Sequence, residues 1–268
     1  MAPGLEGKGK KQLDENLISI LRGIRTSLQV VAEPIDWAAR FLNNKRGYPP
    51  LWLRQKVGDL NDFEGSGGEY IAYLKLLCGL KPGDELLDIG CGCGLMCLPL
   101  SENLVLPKYL KSYVGMDTDK GLIDWCRENV KYGNCFFILL EDRDGGYLPA
   151  ESNSFDVILA KSLFTHLLKE ETENYLNEIK RLLRLGGRCL ATFFLLNEVE
   201  PKGRYTFKFV SYPEAYERIT GKRAAVAYDE KWLLGLLKRM GFSVDVYSGS
   251  WRGDGKGLSF QDIIILRR

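Results

Sequence analysis

A glycine-rich segment in the middle of the chain has the residue types best suited to holding a ligand against backbone. Asp88 follows the apolar run at 85–87 and precedes glycines at alternate positions, Gly90, Gly92 and Gly94. Glycine tolerates left-handed backbone and has no side chain, so such a loop can pass close to a bound molecule. The acid before the loop can hold a positively charged group. These features fit a nucleoside that carries an amino-acid tail.

The spacing of the glycines separates this loop from a dinucleotide-binding turn. The dinucleotide fingerprint is G-x-G-x-x-G, which after Gly90 and Gly92 requires a glycine at the sixth position. Here the third glycine is Gly94, which comes one residue early, and Leu95 stands at the sixth position. The loop is therefore spaced for a ligand other than a pyrophosphate, and an NAD-dependent oxidoreductase is disfavoured.

A second acid lies at a separation that suits the ribose of a nucleoside. The run at 112–117 reads as a strand that ends in Asp117, 25 residues beyond Gly92. In nucleotide-binding α/β folds an acid about 20 residues after the glycine loop reaches the ribose hydroxyls. Three more apolar runs follow in order, at 136–142, 154–160 and 185–194, and the last of them is expected to follow a turn at Gly186 and Gly187.

In this order of motifs the chain resembles the class I S-adenosylmethionine-dependent methyltransferases. The first motif of that family is an acid followed by G-x-G-x-G after the first strand, as in Asp88 to Gly94, and the later runs match the motifs that follow. The resemblance covers roughly residues 60–268. It implies S-adenosyl-L-methionine as cofactor and direct displacement of its methyl group by a nucleophile.

The resemblance also implies a set of cofactor contacts. Asp117 would hold the ribose hydroxyls and Asp142 the adenine amino group, while Tyr70 on an entrance segment would reach the amino-acid end. For Tyr70 a plain packing role is equally open. The expected cofactor-binding residues are Tyr70, Asp88, Gly90, Gly92, Gly94, Asp117, Thr118, Asp142, Ala160 and Lys161.

His166 is the only histidine in the sequence. It follows the fourth apolar run, where family members build the methyl-transfer end of the pocket. Imidazole is the commonest general base, so His166 is the first catalytic candidate. A hydroxyl nucleophile needs such a base, whereas an amine, thiol or phenolate can react without one, so a positioning or packing role stays open. Residues 160–162 lack the Asn/Asp-Pro-Pro-Tyr/Phe motif of the adenine and glutamine N-methyltransferases, which argues against those substrates.

The strands alternate with segments of helical period, which predicts a parallel sheet covered by helices on both faces. The last two strands, at 242–247 and 260–266, are joined by a loop. A loop cannot make a parallel crossover, so the final strand is expected to be antiparallel. The predicted fold is α/β, with a seven-stranded, mostly parallel Rossmann-like sheet. Helices are expected at 94–104, 119–130, 170–183 and 229–240.

Two segments have no cofactor motif and are the expected acceptor walls. The connection at 197–228 has about thirty residues, long against the roughly 2 to 6 of an ordinary loop, and mixes aromatic with basic residues. The second segment is the glycine-rich loop at 248–259. The expected substrate contacts are Tyr212, Arg204, Trp251 and Arg252. A small solvated cap with its own aromatic core is the plainer interpretation of the first segment.

The start of the chain reads as an extension of the domain. Residues 1–11 are rich in glycine and lysine, and residues 12–31 carry apolar residues at helical spacing. The expected helix is interpreted as packing on the domain, since Asp14 and Glu15 dilute its basic face; a membrane-surface or partner helix is the alternative. The predicted organisation is an N-terminal helical extension at 1–59 and a methyltransferase domain at 60–268, with a substrate cap at 197–228.

Composition limits the partners. The 37 basic residues barely exceed the 35 acidic ones, which does not support a broad nucleic-acid surface. The chain has no run of 18 apolar residues and no signal-peptide pattern, so it is expected to be cytoplasmic. The seven cysteines lack C-x-x-C spacing, which favours buried thiols over a metal site.

The leading hypothesis is therefore a methyltransferase acting on a small or medium-sized molecule. A methyltransferase acting on tRNA, protein or lipid is the first alternative. A catalytically silent cofactor-binding module is the second, because motifs for binding the cofactor do not by themselves require turnover. The sequence does not indicate the oligomeric state.

Overall fold

The computed structural model of the chain describes most residues after position 31. The described residues are 32–58, 63–98, 106–141, 146–198, 202–203, 205–217, 222–253 and 255–268. The chain divides into two compact units, Met1–Asn61 and Asp62–Arg268. The helix predicted at 12–31 lies outside the described residues.

The first unit is held by a carboxylate that joins two helices. Helix α1 covers 32–42 and helix α2 covers Leu51–Arg54. Asp36 on α1 accepts a hydrogen bond from Arg40 Nε at 2.7 Å and also pairs with Arg54 on α2. Shared pairing of one carboxylate with two guanidinium groups fixes α2 against α1.

The second unit contains the main sheet and the helices that cover it. Its helices are α3 (Phe63–Leu76), α4 (Lys120–Asn129), α5 (Lys169–Leu182) and α6 (Glu230–Arg239). Its strands are β1 (Glu85–Ile89), β2 (Ser112–Asp117), β3 (Cys135–Leu139), β4 (Phe155–Ala160), β5 (Leu183–Phe193), β6 (Leu195–Leu196), β7 (Phe209–Ser211), β8 (Glu214–Tyr216), β9 (Val226–Asp229), β10 (Ser243–Tyr247) and β11 (Asp262–Arg267).

The main sheet has the strand order β10-β11-β5-β4-β1-β2-β3. From β5 to β3 the neighbouring strands run parallel, whereas β11 runs antiparallel to both β5 and β10. The predicted seven-stranded, mostly parallel sheet with an antiparallel last strand is confirmed. In this arrangement the carboxyl ends of β1, β2, β4 and β5 and the start of β11 lie along one edge.

Both faces of the central strands are buried, as the near-continuous apolar runs predict. On β1, Leu87 and Ile89 belong to one apolar cluster, which also contains Leu176 and Ile179 of α5. Leu86 points to the other face and belongs to the cluster that contains Leu74 of α3. Because side chains alternate along a strand, Asp88 shares the face of Leu86 and lies under the helices of the second cluster.

Helix ends follow the local sequence in most places. Asp229 caps α6 by accepting a hydrogen bond from the Trp232 N–H at 2.7 Å, and Gly241 follows the helix with a φ of 83°. The helix predicted at 94–104 is instead a short 3-10 turn, Leu95–Cys97, before residues outside the described part. α3 begins at Phe63 and includes the glycines at positions 65, 67 and 68. No helix among the residues described is long and apolar enough to cross a membrane.

The glycine pair at 186–187 lies within β5, not in a turn before it. α5 passes directly into β5 at Leu183, and the pairing with β4 jumps from Phe155 opposite Leu183 to Val157 opposite Arg188. Gly186 has a φ of 80°, and a Cβ on Gly187 would lie 2.9 Å from the Arg184 carbonyl. The pair therefore forms a bulge, and the prediction of a preceding turn is wrong.

A second, smaller sheet is built largely from the segment expected to form the cap. Its order is β6-β9-β8-β7, with β6 parallel to β9 and the other neighbours antiparallel. Tyr216 on β8 and Tyr228 on β9 lie in the same apolar cluster as α5, and the Tyr228 hydroxyl is 2.9 Å from Thr172 Oγ1. This sheet is thus part of the domain core and not a detachable lid.

Candidate active site

The glycine loop that follows β1 is fixed by the end of β2. Gly90, Gly92 and Gly94 have φ values of 77°, 57° and 68°, which are left-handed conformations that disfavour any side chain. The Gly90 N–H donates to the Met116 carbonyl at 2.8 Å, and the Gly92 N–H donates to Asp117 Oδ2 at 2.9 Å. Hydrogen bonds within the chain therefore hold the loop against the end of β2.

The cysteines around the loop serve close packing. A Cβ on Gly115 of β2 would lie 2.9 Å from the Cys91 sulfur, so glycine at this position lets the loop lie against the strand. Cys126 Sγ on α4 is 3.6 Å from the Gly92 carbonyl. Burial raises the pKa of the Cys91 thiol well above its usual value, which keeps it in the unreactive protonated form.

Asp88 is a buried carboxylate next to the loop. It is only 4% exposed and accepts a hydrogen bond from the Tyr113 hydroxyl at 2.7 Å. Burial raises the pKa of Asp88 to about 7, even though the Tyr113 hydrogen bond and the charge of Lys161 act in the opposite direction. A carboxylate that is costly to ionise gains most from a bound cation.

Lys161 and Tyr70 lie at the same edge of the sheet. Lys161 Nζ is 5.0 Å from the centroid of the Tyr70 ring, and the Tyr70 hydroxyl is 3.3 Å from Ser259 Oγ. The neighbouring Tyr73 hydroxyl contacts the Leu258 carbonyl. α3 is thus joined to the end of the 248–259 loop across the carboxyl edge of the sheet.

Asp117 combines a structural and a possible ligand role. Its Oδ2 accepts from Gly92, and its Oδ1 accepts from the Asp119 N–H at 2.9 Å. Each carboxylate oxygen keeps a second lone pair that can accept a ribose hydroxyl. Of the other expected contacts, Thr118 is exposed beside Asp117, Ala160 is buried at the end of β4, and Asp142 lies outside the described residues.

These residues fit the cofactor implied by the sequence. Among the residues that the structure describes, a Cβ placed on Gly90 would meet only Leu163 Cδ1, at 3.9 Å, so these residues leave room for a ligand beside the loop backbone. The carboxylates of Asp88 and Asp117 are hydrogen-bond acceptors of the kind that an ammonium group and a pair of vicinal hydroxyls require. This pair of acceptors suits a nucleoside that carries an amino-acid tail.

We expect the affinity for S-adenosylhomocysteine to depend on pH through Asp88. The ammonium group of S-adenosylhomocysteine favours the ionised form of the Asp88 carboxylate. Below pH 7 binding must therefore first remove a proton from Asp88, and the affinity should fall by up to about tenfold for each pH unit. Above pH 7 affinity should level off. Titration calorimetry from pH 5.5 to 8.5 measures this, with Asp88→Asn as the variant that binds weakly without this dependence. An equal slope in Asp88→Asn would assign the effect to another group.

His166 is exposed and oriented by the backbone of the 222–224 turn. Its Nδ1 lies 2.7 Å from the Arg223 carbonyl oxygen. A carbonyl can only accept, so Nδ1 carries the proton of the neutral ring and Nε2 is the nitrogen that can take one up. The preceding residue is fixed too, since the Thr165 carbonyl accepts the Val226 N–H at 2.8 Å.

The four residues expected to contact the acceptor differ in their exposure to solvent. Tyr212 is 71% exposed at the turn between β7 and β8, and Arg204 lies outside the described residues. Trp251 is only 1% exposed, and its Nε1 donates to Asp262 Oδ2 at 2.7 Å. Arg252 is also buried and pairs with Asp262 at 2.8 Å. The prediction that Trp251 and Arg252 face the acceptor is corrected, because both serve the buried Asp262.

Sequence reasoning missed several polar residues at the carboxyl edge. Thr192 and Gln261 are isolated polar positions at the ends of apolar strands, and their side chains are 2.6 Å apart. Ser259 and Tyr113, which contact Tyr70 and Asp88, were also missed. A polar residue within an apolar run was the one available signal, and it does not distinguish a site from a solvent-facing position.

A cavity of about 630 Å³ lies away from these residues, along the edge strand β3. Its lining includes Val114, Phe136, Ile138 and Phe155. It contains neither the glycine loop nor His166, and its lining is mainly apolar. The polar groups suited to chemistry lie at the carboxyl edge, which is where open α/β sheets bind ligands.

Residues 87–191 match the sequence model of a methyltransferase domain family. Ribosomal protein L11 methyltransferase of Staphylococcus carnosus is 29% identical over 110 residues, which cover 40% of this chain and 33% of that protein. The ubiquinone/menaquinone biosynthesis C-methyltransferase UbiE of Vibrio cholerae is 23% identical over 186 residues, covering 63% of this chain and 68% of that protein. The chain thus spans about a third of the length of the first relative and two thirds of the second.

The fold of the chain is also similar to that of a methyltransferase of known structure. A SAM-dependent methyltransferase from Aquifex aeolicus superimposes with a TM-score of 0.50 at 17% identity, over 80% of this chain and 94% of that one. The domain match begins in β1 and ends in β5, so it includes the glycine loop, Asp117 and His166. By its motifs, strand order and domain match, the chain contains a methyltransferase domain at residues 87–191, in the fold of an S-adenosylmethionine-dependent methyltransferase of known structure.

Proposed function

We propose that this protein transfers the methyl group of S-adenosylmethionine to a small or medium-sized organic acceptor by direct displacement. The observation that carries the proposal is the glycine loop, which is held in left-handed backbone against Asp117 next to the buried Asp88. In this proposal the cofactor contacts are Tyr70, Asp88, Gly90, Gly92, Gly94, Asp117, Thr118, Ala160 and Lys161, with Asp142 at the adenine.

When bound, S-adenosylmethionine supplies a methyl group that its sulfonium already makes electrophilic. The task of the protein is then to align the nucleophile with that carbon and to exclude water. Tyr70 and Tyr73 tie α3 to Ser259 and Leu258, which places a cover at the carboxyl edge. A covered site favours an acceptor that can enter it whole over a folded macromolecule.

Aromatic side chains near this cover favour an organic acceptor. Phe260 is 47% exposed and lies 6.0 Å from the ring of Tyr205 and 6.2 Å from that of Phe194, measured between ring centroids. An exposed ring backed by other rings offers a rigid apolar surface at little entropic cost. The relatives act on different acceptors, a ribosomal protein and a quinone precursor by their names, so acceptors in protein, tRNA or lipid are the alternative.

His166 is proposed as the general base for a hydroxyl acceptor. Replacing it with alanine should lower the turnover number by about 10²- to 10⁴-fold, while the affinity for S-adenosylhomocysteine stays within about twofold, because a base acts on the acceptor and not on the sulfonium. Single-turnover kinetics and calorimetry measure the two effects. A fall in cofactor affinity with unchanged turnover would make His166 a cofactor-positioning residue. If neither quantity changes, the role of His166 is packing alone.

The function is tested by transfer of labelled methyl groups from S-adenosylmethionine to separate host fractions of metabolites, RNA and protein. We expect label in the metabolite fraction with the native protein and none with a variant that cannot bind cofactor. Label in RNA or protein would favour the alternative acceptors. Cofactor binding without label in any fraction would favour a silent binding module.

A further inference from the structure

Three polar side chains meet at the carboxyl edge of the sheet, beyond the strand that leads into the glycine loop. Ser162 follows β4, Thr192 lies near the end of β5, and Gln261 immediately precedes β11. Thr192 Oγ1 is 2.6 Å from Gln261 Oε1, and Ser162 Oγ is 3.1 Å from the same oxygen. One amide oxygen thus accepts two hydroxyl hydrogens from two neighbouring strands.

The backbone of Ser162 determines the direction of this network. Ser162 has a φ of 55°, a left-handed conformation that is uncommon for serine, and its N–H donates to Thr192 Oγ1 at 2.7 Å. Thr192 accepts that hydrogen, so its own hydroxyl hydrogen is directed to the Gln261 oxygen. The amide of Gln261 is therefore oriented with its oxygen towards the strands and its NH₂ group away from them.

The NH₂ group of Gln261 has no partner among the residues that the structure describes, and it is not sealed from solvent. Within that part of the chain, the buried side-chain polar atom without a partner is Arg252 Nε, not the Gln261 nitrogen. An oriented donor that opens on the ligand edge of the sheet is available to a bound molecule. Its neighbour Phe260 contributes the half-exposed aromatic ring described above.

The strand order separates this donor from the glycine loop. β11 lies three strands from β1, and strands are spaced about 4.7 to 4.9 Å apart, so Gln261 starts roughly 14 Å from the glycine loop across the sheet. His166 and Ser162 both follow β4, which lies between these two strands. In the strand order, the Gln261 donor and the glycine loop therefore lie on opposite sides of β4, the strand that His166 follows.

We infer that Gln261 binds the methyl acceptor by donating its Nε2–H to a carbonyl-type oxygen, and that Thr192 and Ser162 position it for this. The inference rests on the proposed function for the identity of the reaction. It narrows the acceptor class to organic molecules that combine an apolar face, for Phe260, with a hydrogen-bond-accepting oxygen. A neutral amide donor suits a carbonyl oxygen better than a cation, which it would repel through its positive hydrogens.

Gln261→Glu is the sharpest kinetic test, because a carboxylate keeps both hydroxyl contacts but cannot donate. We expect the KM for the acceptor in the metabolite fraction, measured by transfer of labelled methyl groups, to rise by about tenfold or more. The affinity for S-adenosylhomocysteine should stay within about twofold of the native value. Gln55→Glu, in the first unit, is the matched control and should leave both unchanged. Unchanged KM in Gln261→Glu, or an equal loss of S-adenosylhomocysteine affinity, would overturn the inference.

A second measurement tests the positioning on which the inference depends, even if no fraction accepts label. The NH₂ resonances of Gln261 are identified in a nitrogen-15 spectrum by their loss in Gln261→Glu. Thr192→Val should shift them, because the valine cannot donate to the amide oxygen, whereas S-adenosylhomocysteine should shift them little. Resonances insensitive to Thr192→Val would show that the amide is not held, and a large shift with S-adenosylhomocysteine would place Gln261 in the cofactor site. Failure to transfer any methyl group would count against the proposed function only.

Discussion

Gly92→Val is expected to lower the affinity for S-adenosylhomocysteine by at least about 100-fold, or about 2.7 kcal/mol. Gly92 has a φ of 57°, where a β-branched residue is strained, and its N–H holds the loop to Asp117 at 2.9 Å. Valine must either shift the loop or place two methyl groups beside the backbone that meets the ligand. Titration calorimetry measures the loss.

The control separates loss of binding from loss of fold. Gly133→Val is a matched change, since Gly133 is exposed, has no left-handed φ, and a Cβ there would meet nothing within 4 Å. It should bind S-adenosylhomocysteine as the native protein does. Circular dichroism should show that Gly92→Val keeps its secondary structure. Native-like affinity in folded Gly92→Val would contradict the assignment of this loop to the cofactor.

Asp262→Ala is expected to reduce the free energy of unfolding by about 3 to 5 kcal/mol, because it leaves a buried guanidinium without its partner. Asp262 is fully buried and accepts four hydrogen bonds between 2.7 and 2.8 Å. The donors are Leu195 N–H, Gly249 N–H, Trp251 Nε1–H and Arg252 Nη1–H. Burial raises the pKa of Asp262, although these donors lower it, so the carboxylate depends on all of them.

Urea denaturation measures this loss, and Asp245→Ala is the control. Asp245 also pairs with an arginine, Arg267, but its carboxylate is exposed on the edge strand β10. Exposed pairs contribute little to stability, so this control should unfold close to the native midpoint. Asp262→Asn keeps one oxygen acceptor but turns an NH₂ group, itself a donor, towards two of the four N–H donors, so it should also unfold well below the native midpoint. Equal midpoints for Asp262→Ala and Asp245→Ala would show that the buried cluster does not hold the 248–259 loop.

The catalytic domain could be predicted largely from the sequence because its signals are local. The glycine spacing after β1, the acid that ends β2 and the apolar runs of β3 to β5 each depend on residues close together in the chain. The antiparallel last strand followed from a connection that has no crossover helix. In these cases the physical constraint acts on neighbouring residues, so it can be read from periodicity or loop length.

Other features were decided by contacts between distant parts of the chain. Gly186 and Gly187 read as a turn, but pairing with β4 draws Leu183 into the strand, so the glycines become a bulge. The long segment between β5 and α6 read as a cap, yet Tyr216 and Tyr228 bury against α5. Burial of these rings stabilises a second sheet that no local pattern announces.

The segments proposed to bind the acceptor show most clearly the difference between local signals and distant contacts. Trp251 and Arg252 have the residue types of a binding wall, and their sequence shows a glycine-rich loop. Only the fold brings them to Asp262, whose buried carboxylate requires donors and so turns both side chains inward. Conversely, the sheet brings Thr192 next to Gln261 across 69 residues. The sequence by itself determined the cofactor loop, whose function depends on backbone conformation, while the tertiary structure decided which side chains at the carboxyl edge are buried and which are open, because that depends on partners far along the chain.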